Sequence, residues 1–422
     1  MIRLAGRVLQ GLDEFMLRTG HLKVLCNVAI EYSASRVRLE REVAAFLTAQ
    51  VDVGPQDLPH LGEYLDAKNL CPKADGDDIT EYRYPTLRVS SVEGKPRVFA
   101  IDGAPVRVWR QDAYLASGSV VSKVGAVTTT AKAGGKTGLS HIFDWAELCG
   151  LVSRAGQLSI AARLLPRING QTDGMLWQTN PYELGPEKLL IAFSLFQEDM
   201  DVLSRLVVQL SETEFPLKKR TAMQMFSSLV ERLVDESESA SYLGSRQQSQ
   251  ISELARDLEQ AARRSRTTVA THSTTWHRVS SRLESLVDFG FLTKRAAAKY
   301  EYTYWPAPSL AAAAESLRNA EDGAQWLDQN FAQAVLAQES NTETIDVDEY
   351  ATQLFQLLGR PRAALHIDSL CLAILATAAS RGIYLSLGRC RSAMEEFARK
   401  RPDRARLARG TSGQRAEFVN LT

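Results

Sequence analysis

RARLARGTSGQRAEFVNL, residues 404–421, has the pattern of a β-hairpin. Two strand-like runs flank Gly410-Thr-Ser-Gly413, which supplies the residues of a turn. Alternation along the first strand places Arg404 and Arg406 on one face and Leu407 on the other. We therefore expect both arginines to point outward and Leu407 to pack on neighbouring helices.

Helical patterns precede this hairpin. Residues 368–380 are an apolar helical run, and residues 391–400 predict a helix that buries Met394 and Phe397. Between them, Ile383-Tyr-Leu-Ser-Leu387 has the composition of a strand. Only one helix fits between this predicted strand and the hairpin.

Positive charge is concentrated in the same region. Lys plus Arg and Asp plus Glu both number 50 in the 422 residues, yet residues 381–417 hold ten basic and four acidic side chains. Arginine on a hairpin suits phosphate contacts because its planar fork pairs with two oxygens. The candidate nucleic-acid contacts here are Arg389, Arg391, Arg404, Arg406, Arg409 and Arg415. A solvated basic face, or a patch that docks on an acidic partner, remains the alternative.

A second basic stretch lies at residues 250–305. It predicts helices at 251–264 and 275–288, then a hairpin whose turn is Lys294–Lys299. Arg278 and Arg282 are four residues apart, and we expect them to face outward while Val279, Leu283, Leu286 and Val287 face the core. The candidate contacts are Arg278, Arg282, Lys294, Arg295 and Lys299.

Aromatic residues alternate along the second strand of that predicted hairpin. Tyr300, Tyr302 and Tyr304 would share one strand face. Such a face can stack on nucleic-acid bases, but core packing is the commoner use. Both interpretations stay open from the sequence.

Both stretches resemble the winged-helix superfamily, by pattern and over about 130 residues in total. The resemblance implies three helices on a small sheet, with a hairpin wing beside a helix that can enter the major groove. The C-terminal stretch departs from the plan by one helix. Residues 144–159 resemble the helix, short hairpin and helix that often close such a unit. No particular family is indicated.

The fold class predicted for the whole chain is mainly α with small β-sheets. We expect a multi-domain protein with winged-helix-like units on a helical scaffold, because one core rarely grows to this length. The predicted segments are a helical 1–72, a β-rich 73–139, a helical 140–235 with a winged-helix-like start, and winged-helix-like domains at 248–338 and 348–422. The acidic run 339–349 is interpreted as a joint between the last two.

Composition excludes several classes of protein. No apolar run reaches the roughly 18 residues that span a bilayer, and the start lacks a signal peptide's apolar core, so we expect a cytoplasmic protein that does not enter membranes. The five cysteines have no CxxC spacing, and His272 and His277 have no nearby cysteine to complete a zinc site. We expect no metal site and no cofactor.

Two enzyme motifs are weak. Gly134-Gly-Lys-Thr137 resembles the end of a phosphate-binding P-loop, but Thr130 stands where the first glycine is required. Asp77, Asp78 and Glu93-Gly-Lys95 have the spacing of a metal-dependent nuclease, but Glu93 falls at a predicted hairpin turn. We therefore predict no enzymatic activity, with a nuclease as the less favoured alternative.

The predicted function is binding of nucleic acid, with duplex DNA as the favoured ligand. The protein would act as a regulator, or as the DNA-sensing subunit of a bacterial genome-maintenance or antiphage (antiviral) defence complex. The partner expectations are DNA, other proteins of a complex and a homo-oligomer. The alternative from a different class is a scaffold subunit whose winged helices bind proteins.

Overall fold

The computed structural model describes residues 2–10, 184–298, 301–358, 364–409 and 416–421, together with short pieces between residues 19 and 163. At several strand and helix ends only the backbone is described. This part of the chain is mainly helical with small antiparallel sheets, which confirms the predicted fold class at that level.

Helices dominate from residue 188 onward. Their bounds are α1 Lys188–Glu198, α2 Met200–Ser211, α3 Lys219–Ser239, α4 Ser245–Arg264, α5 Ser273–Phe289, α6 Pro308–Asn319, α7 Gly323–Gln329, α8 Phe331–Leu336, α9 Val347–Leu358, α10 Ile367–Ala379 and α11 Leu387–Lys400. In α5 the predicted core positions Val279, Leu283 and Leu286 are buried. Gly290 ends this helix with a φ of 89°, a left-handed conformation that favours glycine.

The described strands form three antiparallel sheets. Their bounds are β1 Glu81–Tyr82, β2 Leu87–Val92, β3 Lys95–Ala100, β4 Leu217–Lys218, β5 Leu292–Ala298, β6 Glu301–Pro306, β7 Ala364–His366, β8 Ala405–Arg409 and β9 Ala416–Leu421. The strand orders are β1-β5-β6-β4, β2-β3 and β7-β9-β8. The hairpin β2–β3 lies within the segment 73–139 predicted to be β-rich, with Val92 opposite Lys95.

Residues 200–306 form what we call the central unit, with the order α2, β4, α3, α4, α5, β5, β6. The predicted hairpin is present, and β4 pairs with its second strand. The predicted turn at Lys294–Lys299 is wrong, however, because β5 continues to Ala298. Lys294 is therefore a strand residue opposite Tyr304.

Residues 347–421 form what we call the C-terminal unit, with the order α9, β7, α10, α11, β8, β9. The strand predicted at 383–387 is wrong: residues 383–386 belong to no strand, and Leu387 begins α11. The strand that pairs with the hairpin is β7, which precedes α10. Both predicted helices, α10 and α11, thus lie between the first strand and the hairpin, because that strand precedes α10 instead of following it.

The two units share an arrangement of elements. Each begins with a helix and a short strand, continues through helices and closes with a hairpin whose second strand pairs with the short strand. The central unit contains one more helix, α4, than the C-terminal unit. Similar local patterns at two places in the sequence therefore correspond to a similar order of elements.

The first described segment of the chain is tied to the junction of α1 and α2 by two buried carboxylates. Asp201 accepts hydrogen bonds from the backbone N–H groups of Ala5 and Arg7, at 2.7 and 2.8 Å. Asp199 accepts one from the N–H of Leu9, at 2.9 Å. Burial raises the pKa of both carboxyls, although these hydrogen bonds lower it in part. The carboxylates thereby satisfy backbone donors that have no sheet partner.

A shared core joins these parts. Phe196 makes ring contacts with Phe291, Trp326 and Phe331 at centroid distances of 6.3, 5.0 and 6.1 Å. Buried apolar side chains of the first segment, the central unit and the C-terminal unit belong to one continuous cluster. The core therefore holds α10 and α11, and through them the hairpin β8–β9, against the central helices.

Candidate nucleic-acid interface

Helix α11 presents one face to the core and one face outward. Ser386 caps it, because its Oγ accepts a hydrogen bond from the N–H of Arg389 at 3.3 Å. Cys390, Met394 and Ala398 face inward. The exposed side chains are Arg389, Ser392, Glu396, Arg399 and Lys400.

Three arginines of this region are exposed and form no ion pair with a described carboxylate. Arg389 and Arg399 lie on α11, and Arg406 lies on β8. The Nε of Arg406 donates to the carbonyl oxygen of Pro402 at 3.3 Å, which leaves its terminal nitrogens to solvent. The outward orientation predicted for Arg406 is confirmed.

Arg391 is a structural residue, and its prediction as an outward contact is wrong. Its guanidinium pairs with Asp328 of α7 and with Asp368 of α10, and the side chain is 17% exposed. Burial alone would lower the pKa of Arg391, but the two carboxylates raise it above its ordinary value. The side chain links α11 to two other helices.

Arg404 is half-exposed but paired. Its Nη1 donates to Asp348, and its Nη2 donates to Oγ1 of Thr352 at 3.1 Å. Arg401 lies beside it, with Nη1 3.8 Å from Asp348 and Nε 3.4 Å from Asp403. Asp348 of α9 thus partly neutralises the positive charge of Arg401 and Arg404 at the start of the hairpin.

Arg282 is buried, so its prediction as a phosphate contact is wrong. It is 1% exposed and binds Asp199 with Nε and Nη2 at 2.7 and 3.0 Å. It also donates to the carbonyl oxygens of Arg278 and Leu9. The outward face assumed for α5 does not exist there because this helix contacts α1, α3, α4 and β5.

Arg278 and Lys294 are buried as well, so their prediction as nucleic-acid contacts is wrong. Arg278 lies 3.5 Å from Asp257, and the Nζ of Lys294 lies 2.9 Å from Oε1 of Glu284. The hydroxyl of Tyr304 donates to the same Glu284 oxygen at 2.7 Å. Core packing is therefore the correct interpretation for Tyr304.

The remaining predicted contacts cannot be placed as side chains. For Arg295 and Arg409 only the backbone is described, within β5 and β8. Lys299 and Arg415 lie outside the described residues. Tyr300 and the turn at 410–413 also lie outside them.

Leu407 does not pack as predicted. It is 39% exposed, while its strand neighbour Ala405 and its cross-strand partner Val419 are fully buried. The inward face of β8 is therefore covered at its first residues only. The apolar side chain of Leu407 lies where the hairpin leaves the helices.

Sequence reasoning missed a groove between α11 and residues 340–348, with a volume of about 940 Å³. The acidic run 339–349 forms one wall of it, although the sequence suggested only a joint. The charged side chains that line the groove are Asp328, Glu343, Asp346, Asp348, Glu396, Arg389 and Lys400.

Sequence reasoning also missed Lys218, Lys219 and Arg220, which are exposed at the start of α3. The Nζ of Lys219 lies 5.1 Å from the ring centroid of Trp276 on α5. Three consecutive basic residues were the available signal in the sequence.

Comparison with models of protein families, with curated proteins and with solved structures gives no match for this chain. Among the described residues, no helix has both the length and the apolar character that crossing a membrane requires. The same residues contain no group of three or more His, Cys, Asp or Glu side chains arranged to hold a metal ion.

Proposed function

We propose that this chain is a non-enzymatic nucleic-acid-binding protein and that its C-terminal unit is the binding module. One observation carries the proposal: Arg389, Arg399 and Arg406 are exposed and form no ion pair within 4 Å of a described carboxylate. A hydrogen bond from Lys400 and the charge of nearby Arg399 lower the pKa of the Glu396 carboxyl, but Arg399 and Glu396 both stay exposed. Exposed guanidinium groups on a helix and an adjacent hairpin suit phosphate oxygens on both sides of a groove.

The order of elements supports treating the C-terminal unit as a winged helix. In that interpretation α11 is the helix beside the wing, and the hairpin β8–β9 is the wing. Duplex DNA is the proposed ligand, since this plan places a helix near a groove and a hairpin near the flanking backbone. Glu396 and the acidic wall oppose deep insertion of α11, so contacts to phosphate should dominate.

The test is salt-titrated binding of a fluorescent DNA duplex, followed by fluorescence anisotropy. The wild-type chain is compared with R389A/R399A/R406A and with R246A/R256A/R264A, which removes three exposed arginines of α4. The first triple variant should weaken binding at low salt by at least about tenfold. It should also reduce the slope of log affinity against log salt by up to about 0.9 per lost phosphate contact.

The control variant distinguishes DNA binding by one specific face from DNA binding that depends only on net positive charge. It carries the same change in net charge and should retain most of the wild-type affinity. Equal losses in the two variants would contradict a role for the C-terminal unit. Absence of wild-type binding to DNA and RNA at low salt would sink the proposal altogether.

Protein binding is the second candidate, and the groove beside α11 favours it. Glu343 and Asp346 line this groove without an ion pair among the described residues, and the buried Oε1 of Gln333 has no hydrogen-bond partner there. Such acceptors suit a segment rich in Lys and Arg. A labelled basic peptide should then bind the wild-type chain and bind E343Q/D346N several-fold more weakly. Equal binding would remove this candidate.

A further inference from the structure

We propose that Asp348 and Glu349, in the first turn of α9, act as built-in competitors of phosphate for the cations of the C-terminal unit. This inference rests on the proposed nucleic-acid binding and concerns its regulation. Phosphate and carboxylate oxygens use the same donors of an arginine. An acidic side chain that already holds an arginine therefore lowers its availability for a nucleic acid.

Asp348 holds the base of the hairpin. Its Oδ1 accepts from Arg404, and its Oδ2 lies 3.8 Å from Nη1 of Arg401. Thr352, one turn further along α9, donates to Oδ1 of Asp348 at 3.3 Å and accepts from Arg404 at 3.1 Å. Two side chains of α9 thus occupy the terminal nitrogens of Arg404, which are the donors that a phosphate would use.

Glu349 holds a third cation. Its Oε1 accepts from Nη1 of Arg381 at 2.7 Å, and Gln353 accepts from Nη2 at 2.8 Å. The guanidinium of Arg381 also lies 5.0 Å from the ring centroid of Tyr350. The N-terminal half of α9 therefore engages Arg381 as well as Arg401 and Arg404.

These ion pairs are exposed enough for a phosphate to replace the carboxylate beside each arginine. The side chains of Arg404 and Asp348 are 39% and 36% exposed, and those of Arg381 and Glu349 are 43% and 49% exposed. Ion pairs in such positions are weak and are screened by salt, so a polyanion can displace them. Arg391 differs, because it is largely buried between Asp328 and Asp368 and should stay in place.

The acidic run also acts on α11 at a distance. Glu343 and Asp346 line the wall opposite Arg389 in the groove. Their carboxylates line the groove beside α11 and repel phosphate within the screening length of roughly 8 to 10 Å. Neutralising Asp348 and Glu349 in the first turn of α9 should release up to three cations, while the repulsion by Glu343 and Asp346 remains.

The test uses the full-length chain and the same fluorescent duplex. D348N/E349Q is compared with the wild type and with E212Q/E259Q, which removes the partners of Arg318 and Arg263. The two variants change the net charge equally, and both control pairs are exposed. We expect D348N/E349Q to bind roughly tenfold tighter than the wild type at low salt, with a steeper salt dependence by up to about 0.9 per released cation.

The outcomes separate the two proposals. If the wild type binds DNA but D348N/E349Q binds no tighter than E212Q/E259Q, the competition is overturned and the proposed function stands. If no chain binds at low salt, both fail. The single variants D348N and E349Q should each give part of the gain, and the midpoint of urea unfolding verifies that every variant is folded.

Discussion

The central and C-terminal units share an order of helices and strands but use their basic residues differently. In the central unit Arg282, Arg278 and Lys294 are buried beside carboxylates. In the C-terminal unit Arg389 and Arg399 are exposed on the last helix. Clusters of positive charge in the two sequences therefore have opposite consequences.

The difference follows from how much of the last helix of each unit is buried. Helix α5 packs against other helices and the strand β5, and its second half is almost entirely buried. Helix α11 keeps one open face beside the groove. A basic residue on a buried helix needs a carboxylate beside it, because an unpaired buried charge strongly destabilises the folded protein. Charge alone thus does not identify a binding face.

The largest expected effect is that of R282M. It leaves Asp199 buried without its cation and should lower the free energy of unfolding by about 3–5 kcal/mol. R256M, at an exposed position of α4, should change it by less than about 0.5 kcal/mol. Urea unfolding measures both. If R282M lowered the free energy of unfolding by less than about 1 kcal/mol, Arg282 would be dispensable for folding and the contrast between the two units would fail.

A smaller loss is expected for R391M. Asp328 and Asp368 lose their cation but remain partly accessible to water, so unfolding should become easier by about 1–3 kcal/mol. Affinity for DNA per folded molecule should stay within about twofold of the wild type, whereas R389M should weaken it. Unfolding and anisotropy measurements on both variants check this. A large loss of DNA affinity in folded R391M would mean that Arg391 belongs to the surface that contacts DNA.

The smallest effect is expected for L407A. Because Leu407 is exposed, its truncation should cost less than about 1 kcal/mol. The same change at Leu283, fully buried in α5, should cost about 2–5 kcal/mol. The difference between the two losses in the free energy of unfolding measures how much less the hairpin is packed than α5. Equal losses would mean that Leu407 is covered in solution.

Much of the fold was accessible from periodicity. The apolar pattern of α5 and α10 and the alternation of both hairpins predicted those elements and most of their core residues. The strand β7 was missed because three residues, Ala364–His366, carry no alternation that can be recognised. Ile383–Leu387 was taken for a strand because its apolar residues face a core without joining a sheet.

The candidate site was less accessible. The pair Arg282–Asp199 joins residues 83 positions apart, so no local count of charge could reveal it. The same holds for Arg404 and Asp348, which are 56 positions apart. Exposure of Arg406 followed from strand alternation alone. Local rules thus placed side chains on elements, while the partners of those side chains depended on tertiary packing.

Ultraviolet cross-linking of the wild-type chain to bound DNA, with the cross-linked peptides identified by mass spectrometry, tests directly whether the C-terminal unit contacts DNA. We expect cross-links in residues 387–421, which span α11 and the hairpin. Cross-links confined to residues 273–298, which span α5 and β5, would contradict this expectation.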